Sequence, residues 1–202
     1  ESWRDGNLEI YTMNTDGRNQ VNLTKTAKDD IEPSWSHDGT KIAFASNREQ
    51  NFEIFIMNSD GSGQHNLTRA GTTDEKEPAW SPDGTRIAYL SDRSNFGGRL
   101  DLWVYDRSTA KHIQITENSD LKGYCWLSNS RTMVYSSGVN IFDLNITDIN
   151  LQRYRKLAVR DTIKTYNEMN PVPVFYKGIE KIVYTREYES GEKEIYWINP
   201  DG

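Results

Sequence analysis

One phrase returns along this chain at a fixed spacing, and that limits its fold more than any other property. Trp35-Ser36-His37-Asp38-Gly39-Thr40-Lys41-Ile42-Ala43-Phe44 recurs without a gap as Trp80-Ser81-Pro82-Asp83-Gly84-Thr85-Arg86-Ile87-Ala88-Tyr89, 45 residues later. A second phrase keeps step with it. Glu9-Ile10-Tyr11-Thr12-Met13-Asn14-Thr15-Asp16-Gly17 returns as Glu53-Ile54-Phe55-Ile56-Met57-Asn58-Ser59-Asp60-Gly61, and each copy leads into Asn-Leu-Thr, at Asn22 to Thr24 and Asn66 to Thr68. A period in the 40s marks an array of one supersecondary unit. Later copies keep the hydrophobic pattern and lose the letters. Trp126 opens the third full copy, with Met133-Val134-Tyr135 and Ile141-Phe142-Asp143-Leu144-Asn145 in place of the two strand phrases. In the fourth, Pro173-Val174-Phe175 aligns with Pro33-Ser34-Trp35, followed by Lys181-Ile182-Val183-Tyr184 and Glu194-Ile195-Tyr196-Trp197-Ile198.

Each unit reads as short strands. Ile42, Phe44 and Ser46 alternate with Ala43 and Ala45, Ile54 and Ile56 alternate with Phe55 and Met57, and no 3.6-residue stripe is sustained anywhere. Asp38-Gly39 and Asp83-Gly84 join first to second strands, and Asp16-Gly17 and Asp60-Gly61 join third to fourth. Glycine supplies the positive φ of a tight turn and aspartate accepts from turn amides. The unit is a four-stranded antiparallel meander that cannot bury both faces alone, so it must stack on its neighbours. The expected fold is an all-β propeller of such blades, about 4.5 of them, with repeats at approximately 1–32, 33–77, 78–123, 124–171 and 172–202. The recurring Trp35, Trp80, Trp126 and Phe175 are expected on inner strands, wedged between blades.

The phrase Pro-x-Trp-Ser-Pro-Asp-Gly-Thr-x-Ile-Ala, followed by Ser-x-Arg, Glu-Ile-Tyr, Met-Asn-x-Asp-Gly and Leu-Thr, resembles the WD-like repeat of TolB-type propellers, strongly over residues 7–105 and weakly over 125–202. The resemblance specifies a fold and leaves function open, because similar repeats occur in periplasmic TolB, in tricorn-like and prolyl-oligopeptidase-like propellers and in oligogalacturonate lyases. It implies a non-catalytic, TolB-like scaffold that binds a protein or peptide in the periplasm or outside the cell. The alternatives are a substrate-filtering propeller of a serine peptidase and, third, a polysaccharide lyase. Counting strands gives two, three sets of four, then three, so the expectation is part of a longer propeller, six-bladed if the resemblance extends that far.

Charge and candidate chemistry narrow the partners. A net charge of −6 without a basic stripe argues against nucleic acid, and no 18-residue apolar run is present to insert in a membrane. His37, His65 and His112 fall at different radii of two blades with no accompanying ligand spacing, so no metal or other cofactor is expected. Cys125 stands alone beside Trp126 as an inert thiol, and no Gly-x-Ser-x-Gly elbow occurs. The chain is therefore not expected to be an enzyme. The sequons at Asn22, Asn66 and Asn145 are explained by the repeat for the first two. Acidic connections between blades are the remaining candidates. Asp29, Asp30 and Glu32, then Asp74, Glu75 and Glu77, form a prospective collar for a basic partner, with Arg48 and Arg93 ending second strands on the same face. The competing reading is that these carboxylates cap turns or pair with the two arginines.

Overall fold

The computed structural model describes residues 1–93, 98–138, 142–151, 153–157 and 166–201; Ile141, Gly202 and much of the connection from 151 to 171 lie outside the described residues. No helix occurs among them. Five antiparallel sheets follow in chain order. β1 (Tyr11–Thr12) and β2 (Val21–Asn22) make the first, β3 (Asp30–Trp35), β4 (Lys41–Glu49), β5 (Asn51–Asn58) and β6 (His65–Asn66) the second. The third contains β7 (Glu75–Trp80), β8 (Arg86–Ser91), β9 (Asp101–Asp106) and β10 (Lys111–Gln114), and the fourth β11 (Leu121–Trp126), β12 (Thr132–Ser137), β13 (Asp143–Asp148) and β14 (Arg153–Lys156). The fifth has β15 (Tyr166–Tyr176), β16 (Ile179–Tyr188) and β17 (Lys193–Ile198). Each sheet is one blade. The chain forms two compact units, residues 1–98 with 102–114 and residues 99–101 with 115–202.

The repeated phrase builds its own turn. Gly39 takes φ 68° and its amide donates to the Ser36 carbonyl at 2.9 Å. The Asp38 carboxylate accepts from the Ser36 hydroxyl at 2.6 Å and the Thr40 amide at 3.0 Å, while the Lys41 amide donates back to Ser36 Oγ at 2.9 Å. Ser81, Asp83 and Thr85 repeat the arrangement. Those donors, the Ser36 hydroxyl first, hold the Asp38 carboxyl down to about 2. At Gly61 the turn also meets another blade, because a Cβ there would lie 2.8 Å from the Leu23 carbonyl oxygen at φ +86°. Gly61→Ala is expected to cost about 1–3 kcal/mol in urea melts, more than Gly17→Ala, whose Cβ would meet nothing.

Strand alternation sends each face of a blade to a different neighbour. In the first unit, Ile42, Phe44, Phe55 and Met57 pack on Ile10 and Leu23 of the first blade. Ala43 and Ile56 point the other way, to Trp80 and Ile87, and Ala45 and Ile54 meet Tyr89 of the third blade. The Trp80 indole N–H reaches the Ser34 carbonyl at 3.1 Å. Trp80 and Trp126 are buried. Trp35 is not: it stays 49% exposed, because the first sheet has two strands among the described residues and none of them lies over the Trp35 face of β3. In the second unit, Leu127, Val134, Leu144, Ile146 and Leu157 of the fourth blade pack on Ile182 and Tyr184 of the fifth.

The fifth blade corrects the sequence alignment. Pro173 pairs with Ile182 as Trp35 pairs with Ile42 and Trp80 with Ile87, so Pro173, not Phe175, holds the tryptophan position. β15 then runs on to Tyr176, and Phe175 is exposed. A bulge fixes this register. It falls between Met169 and Val172, where Asn170 has φ 53°, as it falls between Ile31 and Ser34 around Glu32 (φ 55°) and between Lys76 and Ala79 around Glu77 (φ 52°).

Candidate functional site

The collar residues separate into three positions of the repeat, each tied to the fold. Asp29 and Asp74 link blades: Asp29 Oδ1 accepts the Leu8 amide at 2.9 Å, and Asp74 Oδ1 accepts the Phe52 amide at 3.0 Å. Asn167 does the same for the Phe142 amide in the second unit. An uncharged amide oxygen thus suffices, and the negative charge is incidental to this job.

Asp30 and Glu75 are fully buried, which removes them from an open collar. The alternation of the strand turns them inward while Asp29 and Asp74 face the previous blade. Arg48 Nη2 donates to Asp30 Oδ1 at 2.7 Å, its Nε to Ser46 Oγ at 2.8 Å and its Nη1 to Gln64 Oε1 at 2.8 Å, while Gln64 donates to the Leu23 carbonyl of the first blade. The guanidinium lies 4.5 Å from the Phe55 ring centroid and 5.4 Å from that of Phe44. Arg93 repeats the clamp on Glu75 at 3.2 Å, over Trp103 and Tyr89. In the fifth blade Arg186 stands in strand register with Ser46 and Ser91, two places before Arg48 and Arg93, yet its Nη2 still reaches the Glu168 carboxylate at 3.4 Å among Tyr166, Tyr184 and Tyr196. The fourth blade has lost both halves of the pair. Its acid position is Leu121, buried opposite Ser137, and the sequence carries no arginine in Ser136-Ser137-Gly138.

Glu75 differs from Asp30 by one methylene, and the difference is chemical. Its Oε1 accepts from Ser91, Thr73 and Arg93, whereas its buried Oε2 has no partner. Burial pushes its carboxyl up to about 7, with Glu53 adding to the rise and Ser91 and Arg93 opposing it.

Glu32 and Glu77 hold the left-handed bulge position. Glu32 Oε2 accepts the Glu77 amide at 2.6 Å, and Glu1 Oε2 accepts the Glu32 amide at 2.7 Å. These three carboxylates form a row in the first unit, with Glu32 half-buried and Glu1 and Glu77 exposed.

A set of acids outside the expected collar opens the third strands. Glu9, Glu53 and Asp101 are buried and accept from the hydroxyls of Thr24, Thr68 and Thr116 and from the amides that follow. Burial raises the Glu53 carboxyl, but the hydrogen bonds from Thr68, Ala70 and Gly71 outweigh it and the net shift is downward. The recurring Glu-Ile-Tyr and Leu-Thr phrases are two halves of one buried bond.

Other candidates are similarly engaged. His112 Nδ1 meets the Tyr89 hydroxyl at 2.8 Å, and burial lowers its pKa. His65 Nδ1 meets the Gly63 carbonyl at 3.0 Å, and His37 is exposed. Among the described residues no three His, Cys, Asp or Glu side chains are placed to hold a metal ion. Burial pushes the Cys125 thiol up to about 12. Asn66 and Asn145 are buried, and Asn22 and Asn66 accept amides of their own turns. No helix among the described residues is long and apolar enough to cross a membrane.

Four-stranded antiparallel blades, stacked through alternate faces and clamped by buried acid–arginine pairs, define a β-propeller protein. The chain belongs to the TolB beta propeller domain family, whose sequence profile matches residues 1–140. No curated protein matches it significantly. Among solved structures it is similar to the putative TolB from Agrobacterium tumefaciens (21% identity, TM-score 0.58), covering 74% of this chain and 56% of that one. An oligogalacturonate lyase in complex with manganese matches with 17% identity and TM-score 0.68, over 94% of this chain and 53% of that one. A puromycin hydrolase matches with 15% identity and TM-score 0.68, over 89% of this chain and 28% of that one. At these identities the likeness is one of fold. The chain spans 56% or less of each of these three proteins.

Proposed function

We propose that this chain is a non-catalytic, TolB-like binding module that works outside the cytoplasm and engages a basic segment of a protein or peptide through the Glu1, Glu32 and Glu77 row. The observation that carries the reading is that the recurrent polar groups are spent on the fold. Asp29 and Asp74 join blades, Asp30 and Glu75 hold arginines, and Glu9, Glu53 and Asp101 anchor threonines, while Glu1, Glu32 and Glu77 stand in one row at the bulges. A row of like charges attracts a cationic partner even where each single pair is weak.

The test uses a fluorescently labelled oligolysine peptide and the Glu32→Gln/Glu77→Gln variant. Glutamine keeps the acceptor that the Glu77 amide needs at position 32 and removes the charge. Affinity at low salt is expected to fall about tenfold, and the difference should vanish near 1 M salt, where charges are screened within about 3 Å. Asp16→Asn/Asp60→Asn, in turns between third and fourth strands, should bind as the unmodified chain does. Unchanged affinity in the first variant would place the partner elsewhere. Turnover of peptide or ester substrates by these residues alone would overturn the non-catalytic assignment.

A further inference from the structure

Six Asp-Gly pairs occur in the sequence, at Asp5, Asp16, Asp38, Asp60, Asp83 and Asp201, and the structure describes both residues of the first five. In such a pair the chain can attack itself. The glycine amide nitrogen, unhindered by a side chain, bonds to the aspartate γ-carbon. The amide proton and the carboxyl OH leave as water, and a cyclic succinimide remains. Water then opens the ring at either carbonyl. Opening at the γ-carbon restores aspartate, and opening at the α-carbonyl leaves isoaspartate, whose main chain runs through the side-chain methylene. The net change is an isomerisation, with water as the only co-reactant. The electrophile is the neutral carboxyl, so donors that stabilise and fix the carboxylate slow the step.

The nucleophile is held alike in four of these turns. The amides of Gly17, Gly39, Gly61 and Gly84 donate to the carbonyls of Asn14, Ser36, Asn58 and Ser81 at 2.9, 2.9, 3.0 and 2.9 Å. The carboxylates are held differently. Each accepts the amide two residues on, from Arg18, Thr40, Ser62 or Thr85. Asp38 adds the hydroxyls of Ser36 at 2.6 Å and Thr40 at 2.9 Å, Asp83 those of Ser81 at 2.7 Å and Thr85 at 2.8 Å, and Asp60 that of Ser62 at 2.6 Å. Asp5, in the fifth pair, accepts from the Tyr11 hydroxyl and from the Asn22 side-chain amide at 2.8 Å. The hydroxyls of Tyr11, Ser36 and Ser62 lower the carboxyl pKa of Asp5, Asp38 and Asp60 respectively. Asp16 has no hydroxyl donor among the described residues. Arg18 stands where Ser62 stands in the next blade, and beyond its amide it brings only its Nε, 3.9 Å away, between two exposed side chains. Such a pair contributes little. We propose that Asp16-Gly17 is a modification site, the turn at which the main chain isomerises to isoaspartate ahead of the other described Asp-Gly pairs. The product lengthens the link between β1 and β2 by a methylene, removes the carboxylate that accepts the Arg18 amide, and presents the free α-carboxylate that a protein isoaspartate methyltransferase takes as substrate.

Ageing the full chain in neutral buffer made with heavy-oxygen water tests this, because every passage through the ring takes one oxygen from water. Peptide mapping by mass spectrometry, with a protease that cleaves before aspartate and not before isoaspartate, locates the label and identifies the product. Label at Asp16 is expected to exceed that at Asp38, Asp60 or Asp83 by about tenfold, the effect on a rate of one hydrogen bond to a charged group. Arg18→Ser supplies at Asp16 the hydroxyl that Ser62 supplies at Asp60, and should slow labelling of Asp16 by about tenfold. Ser62→Ala should speed labelling of Asp60 by a similar factor. Both variants should keep the circular dichroism spectrum of the unmodified chain. Equal label at all the turns would overturn the inference. So would more label at Asp5 than at Asp16, or label at Asp16 that Arg18→Ser leaves unchanged.

Discussion

Replacing Arg48 by alanine is expected to cost about 3 kcal/mol of unfolding free energy, and replacing Asp30 by leucine at the same time is expected to restore most of it. The single change leaves the Asp30 carboxylate fully buried with its charge uncompensated. Breaking one side of such a pair is strongly destabilising, whereas replacing both sides by apolar groups is often neutral. The chain has already made the second experiment on itself. Leu121 fills the acid position of the fourth blade, and Ser136-Ser137-Gly138 at the end of its second strand carries no arginine. Urea midpoints of Arg48→Ala, Asp30→Leu and the double variant close the thermodynamic cycle. If Arg48→Ala costs less than about 1 kcal/mol, or if the two costs simply add, the clamp is not a coupled unit and its loss in the fourth blade has another cause.

The same pair shows why a blade array was legible in the sequence while its acidic residues were left between two readings, an open collar and pairing with Arg48 and Arg93. Strand positions and turns are local properties: alternation and Asp-Gly pairs announce them, and the sheets of two, four, four, four and three strands are those the repeat implies. Side-chain direction was also implicit. Asp29 and Asp30 are neighbours in a strand-like segment and must point apart, so a collar containing both could not present both to one partner. The joint disappearance of acid and arginine from the third full copy, the fourth blade, was the available signal for pairing. Glu9, Glu53 and Asp101 escaped notice because each is bonded to a threonine about fifteen residues away, a partnership that only the antiparallel return of the fourth strand creates. The third full copy carries the hint, since Ala158 follows Leu157 where Thr24 and Thr68 follow Leu23 and Leu67.

The fifth blade was misaligned for a different reason. Pro173-Val174-Phe175 imitates Pro33-Ser34-Trp35 in composition, but register is set by the backbone at the bulge. That position accepts Glu32, Glu77 and Asn170 alike, because what it requires is a left-handed φ and not a particular side chain. Residue identity is a poor marker of a conformational requirement. The exposure of Trp35 was equally hidden, since burial of a side chain on one blade depends on which strands its neighbour contributes.

Stability should fall between about pH 4.5 and 7 through Glu75, against the usual behaviour of a carboxylate in an ion pair. The Glu75 carboxyl rises to about 7 because burial outweighs the attraction of Arg93, whose single contact shares Oε1 with Ser91 and Thr73 while Oε2 has no donor. With the folded pKa above the unfolded one, the folded state holds the proton more tightly. Its contribution is therefore complete below about pH 4.5 and is lost as pH rises through 7. The span corresponds to about 3 kcal/mol. Other groups bear on the measurement, among them Glu77, whose carboxyl burial and the nearby Glu32 also raise. Asp38 and Asp106, held near 2, titrate below the window. His112 acts within it and in the opposite sense, because burial lowers its pKa and the neutral ring favours the folded state. The difference between the unmodified chain and Glu75→Gln cancels these contributions. Glutamine retains an oxygen for Ser91, Thr73 and Arg93 and cannot ionise, so the stability difference from urea melts should change by about 2.5 kcal/mol between pH 5 and pH 8, in favour of Glu75→Gln at the higher pH. A difference constant across that range would mean that Glu75 ionises near its ordinary value and that Arg93, despite its shared contact, supplies the compensation that Arg48 gives Asp30.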